Sequence, residues 1–73
     1  MSRLYSFTAA GSCLSCGKQL DKPGSLLVHG MEAMVDDNGV VSDGETNLIL
    51  HDPEVPATCG YCGNEVALEA VEE

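Results

Sequence analysis

The residues in this 73-residue sequence best equipped for chemistry are its four cysteines, and they come as two pairs. Cys13-Leu14-Ser15-Cys16-Gly17 and Cys59-Gly60-Tyr61-Cys62-Gly63 are each a Cys-x-x-Cys-Gly turn, and together they use every cysteine in the chain. Thiolates at this spacing can both point inward from one tight turn. Four of them satisfy a tetrahedral ion such as zinc, with Zn–S near ~2.3 Å. The glycine that closes each turn can take a positive φ without steric cost, so the chain can bend back around the ion. Backbone N–H groups of such a turn aim at the sulfurs and offset their charge. One Cys-x-x-Cys is a weak signal; a pair of them, each closed by glycine and leaving no cysteine over, is a strong one for a metal site.

The same cysteines could instead pair as disulfides or act as redox thiols. Disulfides belong to oxidising compartments, and residues 1–10 (Met-Ser-Arg-Leu-Tyr-Ser-Phe-Thr-Ala-Ala) hold no apolar run of secretory length. The expected location is therefore the cytoplasm, and the expected use of the sulfurs is metal binding. A thioredoxin-type redox pair is disfavoured because 73 residues leave no room for its βαβ setting.

At Cys13, Cys16, Gly17, Cys59, Cys62 and Gly63 the chain resembles the zinc ribbons, whose two C-x-x-C-G knuckles ride on short β-hairpins and bind one structural zinc ion. The resemblance covers the two turns and a few flanking residues. It implies a small all-β, zinc-ribbon-like fold with knuckles at 13–18 and 59–64, and Cys13, Cys16, Cys59 and Cys62 as ligands of one structural Zn2+. Ribbon families often carry proline after the first cysteine of a knuckle; Leu14 and Gly60 stand there in this chain, and the spacer 17–58 is long. The chain also resembles the rubredoxins, small acidic iron proteins of electron transfer with two C-x-x-C-G turns. It departs from them at Lys18, where they carry tyrosine, at Gly60, where they carry proline, and in its few aromatics and longer spacer.

Charge narrows the function classes. Twelve acids stand against three bases, Arg3, Lys18 and Lys22, for a net charge of −9. A four-thiolate zinc adds about −2. Direct nucleic-acid binding, which needs lysine and arginine against phosphates, is not expected. A protein partner with a basic surface is. No apolar run approaches the ~20 residues of a membrane helix. With one phenylalanine, two tyrosines and no tryptophan, the core must be small, and a bound ion would carry much of the folding free energy. The serines are scattered without a base beside them, and a four-thiolate zinc has no open position for water, so catalysis is not expected. The sequence therefore reads as one zinc-stapled domain over 1–73, an acidic protein-interaction module with its acidic β insert at 25–52. The alternatives are an acidic decoy filling the basic groove of a nucleic-acid enzyme, and a rubredoxin-like electron carrier.

The elements that must carry the turns are short. Residues 3–9 alternate, with Arg3, Tyr5, Phe7 and Ala9 on one side and Leu4, Ser6 and Thr8 on the other, as in a strand with one buried face. Pro23-Gly24 marks a turn, and residues 26–31 read as one short apolar strand. Residues 31–43 read as a hairpin about Asp37-Asn38-Gly39, with Asn38-Gly39 in the left-handed region, and Asp43-Gly44 as a further turn. The acids of 36–45 are out of register for a calcium loop, since Gly39 would demand an acid at Met34. Residues 46–51 read as a strand with Leu48 and Leu50 on one face. Pro53 and Pro56 keep 52–57 extended. In 64–70, Val66, Leu68 and Ala70 alternate with Glu65 and Glu69, a strand pattern written in residues that also favour helix; Glu72 and Glu73 read as a solvated end. His29 and His51 read as half-exposed strand residues rather than a second ligand pair. Residues 26–28 and 48–50 are expected to cover one another in part and to leave an edge for a partner strand or a second copy.

Overall fold

The structure, a computed structural model, describes residues 3–73; the part of the 1–10 reading that rests on Met1 and Ser2 lies outside the described residues. Seven strands run in the order β1 Tyr5–Thr8, β2 Leu26–Val28, β3 Met31–Val35, β4 Val41–Ser42, β5 Ile49–Leu50, β6 Ala57–Cys59 and β7 Glu69–Glu72. They form two antiparallel sheets, a three-stranded one ordered β5-β1-β7 and a four-stranded one ordered β4-β3-β2-β6. Among the described residues there is no helix, so none that could cross a membrane. The all-β expectation holds.

The alternation read in the N-terminal segment sets the first sheet. Phe7 is fully buried, Tyr5 and Ala9 pack against the same core, and Leu4 points to solvent. β1 pairs β5 through Tyr5↔Leu50 and Ser6↔Ile49, and pairs β7 from Tyr5↔Glu72 to Thr8↔Glu69. The Arg3 guanidinium closes the far end on the Glu72 carboxylate at 2.9 Å. A pairing of Thr8 with Val40, and a bond from the Ala9 N–H to the Gly39 carbonyl at 2.9 Å, stitch the two sheets together. Between them lie Phe7, Leu20, Leu26, Val28, Ala33, Val35, Val41 and Ala57, with Cys13 and Cys59 at the margin of the same cluster. That is a small core for 73 residues, and the site's sulfurs belong to it.

Several expected elements are corrected. Residues 26–31 are not one strand: the chain reverses at His29-Gly30, with φ of 51° and 79°, and β2 pairs back on β3. Positive φ at both central residues is the signature of a tight I′ hairpin turn, costly for histidine and free for glycine. His29 is thus an exposed turn residue, not a strand residue, and β2 is an interior strand between β3 and β6 rather than an edge. At Asp37-Asn38-Gly39 only Gly39 takes positive φ. The Asp36 carboxylate accepts the Asn38 and Val40 N–H groups at 2.9 Å, making a longer loop than a two-residue turn. In the next loop the Asp43 carboxylate accepts the N–H groups of Thr46 and Glu45, which hold its pKa below the usual carboxylate range. Of 46–51 only Ile49–Leu50 forms a strand, Asn47 makes a single bridge to Ser42, and His51 lies beyond them, exposed. The strand expected over 64–70 is displaced: the alternation of Val66, Leu68 and Ala70 is present in their burial, but continuous pairing covers Glu69–Glu72, so Glu72 is a strand residue.

Candidate metal centre

Each Cys-x-x-Cys-Gly stretch folds as a knuckle at the end of a small hairpin. In the first, Ser12 pairs with Gln19, the Cys13 N–H donates to the Lys18 carbonyl at 2.9 Å, and the Gly17 N–H donates to the Cys13 carbonyl at 2.7 Å. In the second, Thr58 pairs with Glu65, the Cys59 N–H donates to the Asn64 carbonyl at 2.8 Å, and the Gly63 N–H donates to the Cys59 carbonyl at 2.9 Å. Gly17 and Gly63 take φ of 74° and 76°, the left-handed conformation that sequence alone demanded of them.

The two knuckles face each other. Cys13 Sγ lies 3.6 Å from Cys62 Sγ, Cys16 Sγ lies 3.8 Å from Cys59 Sγ, and all four sulfurs fall within 4.8 Å of one another. A tetrahedron with ~2.3 Å from centre to corner has edges of ~3.8 Å, which the two cross-knuckle pairs match. A disulfide would need ~2.05 Å, and all four thiols are free. The first cysteine of each knuckle, Cys13 and Cys59, is buried in the core; the second, Cys16 and Cys62, is exposed.

The turn backbone electrifies the sulfurs unevenly. The N–H groups of Cys16 and Ser15 outweigh burial and lower the Cys13 thiol to about 6. Burial pushes Cys59 up, yet N–H groups of Cys62 and Tyr61 and the Cys62 thiol bring it below the ordinary value overall; the Tyr61 N–H reaches its sulfur at 3.4 Å. The Lys18 N–H lowers Cys16, but burial and the three neighbouring sulfurs together drive it up to about 11. Crowding thiolates at this spacing without a cation is unfavourable, and an ion at their centre relieves it. The Asn64 amide adds a side-chain donor, Nδ2 to Cys62 Sγ at 3.5 Å.

Other supporting residues carry no motif. Gly60 lies against the chain at Gly24-Ser25: its N–H donates to the Ser25 carbonyl at 2.9 Å, and a side chain at 60 would run into the Gly24 carbonyl. Proline there would lose the donor and collide, which explains the departure from the usual knuckle. Buried Ser25 is held in turn by its hydroxyl on the Lys22 carbonyl. Lys18 Nζ sits 5.2 Å from the centre of the Tyr61 ring, one knuckle reaching the other. His29 and His51 have no place in the four-cysteine cluster.

Fold and site together define the class: a small all-β protein whose Cys13, Cys16, Cys59 and Cys62 form a cluster that could hold one metal ion. No protein-family model, characterised protein or solved structure matches the chain.

Proposed function

We infer that the chain is a ribbon-like structural-zinc module that works by binding another protein. The observation that carries the first half is the spacing of the four sulfurs, two cross-knuckle contacts at 3.6 and 3.8 Å among thiols drawn from opposite ends of the sequence. Four thiolates fill a tetrahedral ion, leave no position for substrate or water, and so serve structure rather than catalysis. A reducing compartment such as the cytoplasm suits four free thiols. The net charge of −9 supports a partner with a basic surface and opposes direct contact with nucleic acid.

Elemental analysis of the purified protein tests the ion, with one equivalent of zinc per chain and a colourless solution expected. A folded, metal-free preparation overturns the reading. A red solution carrying iron replaces it with electron transfer, since the donor set alone suits either metal. The decoy alternative separates by salt: occupation of a nucleic-acid enzyme's basic groove would weaken steeply with ionic strength, whereas a contact with an apolar centre keeps much of its affinity.

A further inference from the structure

The three-stranded sheet has one face on the core and one face in water. Tyr5, Phe7, Leu50 and Ala70 pack inward. On the other face, Ser6 is the cross-strand partner of both Ile49 and Val71, so those two flank it, and Leu4 lies two residues along the same side of the chain. Leu4, Ile49 and Val71 are 42, 43 and 44 % exposed. An outward sheet face is ordinarily polar. This one sets three large apolar residues around Ser6 and, along β7, has Glu69 beside them; Glu73, whose N–H donates to the Leu4 carbonyl, stands at its end. Arg3 is turned away onto Glu72, and among the described residues no ion pair forms at Glu69 or Glu73.

Dimensions and charge select what would cover it. Ile49 and Val71 sit on strands two spacings apart, ~10 Å at ~4.8 Å per spacing, and one α-helix with its side chains is ~10–12 Å wide. Helix on sheet is one of the two ordinary ways such a face is closed, and the two-spacing width matches a single helix. A second copy of this chain is a poor occupant: the described residues hold no helix, and two chains of −9 would meet acid to acid. We propose that the outer face of the β5-β1-β7 sheet, centred on Leu4, Ile49 and Val71, docks one amphipathic helix of a partner protein, its apolar stripe flanked by lysine or arginine that reach Glu69 and Glu73. The proposal rests on the interaction-module reading and names its surface.

The test uses the metal-loaded full chain, 15N-labelled, and a synthetic amidated helical peptide with leucine at i, i+3, i+4 and i+7 and lysine elsewhere. A peptide of identical composition with the leucines scrambled is the control. Saturable binding is expected, with amide shifts concentrated at Leu4, Ser6, Ile49 and Val71, and at least tenfold weaker binding of the scrambled peptide. Ile49→Lys and Val71→Lys, each checked for a dispersed spectrum, should each weaken binding at least tenfold, and Met31→Lys, exposed on the other sheet, should not. Equal binding of both peptides overturns the proposal. So do shifts centred on the knuckle tips or the 43–46 loop, although these leave the basic-partner reading standing. Absence of binding even at low salt overturns both. Sedimentation showing a dimer that Ile49→Lys dissociates would also overturn it, by making a second copy the occupant.

Discussion

The two knuckles are the same turn in different surroundings. Their backbones match bond for bond: first cysteine to the residue after the glycine, glycine back to the first cysteine, and a strand pairing below, Ser12 with Gln19 and Thr58 with Glu65. Their exteriors do not match. Leu14, after the first cysteine of one, is 94 % exposed and free of the fold. Gly60, at the same place in the other, is bonded to Ser25 and pressed on Gly24. The first knuckle is anchored from behind, through Leu20 in the core; the second is clamped from the front by the turn preceding β2. The difference teaches that Cys-x-x-Cys-Gly specifies a thiol-presenting turn by itself, while single residues outside the motif decide how each turn is fastened to the sheets.

The largest effect tests what the knuckles share. Binding at a structural zinc site is worth on the order of 10–16 kcal/mol, and a core of this size rarely supplies more than ~3–5 kcal/mol. Chelation should therefore unfold the whole protein, read as collapse of the dispersed amide spectrum and recovery on adding zinc. Serine at Cys13, Cys16, Cys59 or Cys62 should leave a three-thiolate site that binds zinc more weakly and lower the stability of the zinc-loaded protein. The buried pair should cost more than the exposed pair, because Cys13 and Cys59 also fill the core. Equal loss at all four positions would say that the ion alone matters and the core contact nothing.

Next is the pair that distinguishes them. Gly60→Ala places a methyl group against the Gly24 backbone, which cannot yield as a side chain would; overpacking of this kind costs about 1–3 kcal/mol. Leu14→Ala removes an exposed side chain and should stay within about 0.5 kcal/mol. Denaturant midpoints of the zinc-loaded variants give both values. If they agree, the clamp on the second knuckle is not real.

How much of this was legible depended on range. The knuckles were, because thiol spacing and a following glycine are local chemistry, and the cluster forms as that chemistry requires. The inward set Tyr5, Phe7 and Ala9 was legible from alternation. The reversal at His29-Gly30 was missed because histidine is a rare occupant of positive φ; Gly30 was the visible signal, and the apolar run overrode it. The choice of β5 to leave the insert and pair with β1 was out of reach, since it joins residues more than forty apart in sequence through a ladder of only Tyr5↔Leu50 and Ser6↔Ile49. Gly60 appeared only as a missing proline; its reason lay at Gly24, which no spacing rule connects to it.

A third prediction returns to sameness. Gly17 and Gly63 have nearly equal positive φ, and nothing lies within 4 Å of where a Cβ would be added at either. Alanine at each then costs only the left-handed backbone, about 1–2 kcal/mol, and the two costs should agree. Unequal losses would mean that one knuckle is strained and the other relaxed, and the equivalence of the turns would fail.

The smallest effect lies after each glycine, where Lys18 and Asn64 occupy equivalent positions and do different work. The Asn64 amide donates to the exposed Cys62 sulfur at 3.5 Å, so it withdraws charge from a sulfur that solvent can reach. The Lys18 backbone N–H stays on the Cys16 sulfur, while its side chain lies over Tyr61, a contact worth about 0.5–1 kcal/mol at an exposed site. Asn64→Ala should barely move the unfolding midpoint, yet zinc should pass to a competing chelator several-fold faster, because the solvent-exposed Cys62 sulfur loses its side-chain donor. Lys18→Ala should do the reverse, lowering the midpoint slightly and leaving the release rate unchanged. Stopped-flow transfer to a coloured chelator, beside thermal melts of the same samples, reads both. If Lys18→Ala also speeds release, the cross-knuckle contact guards the ion itself, and the division between holding the metal and holding the turns together disappears.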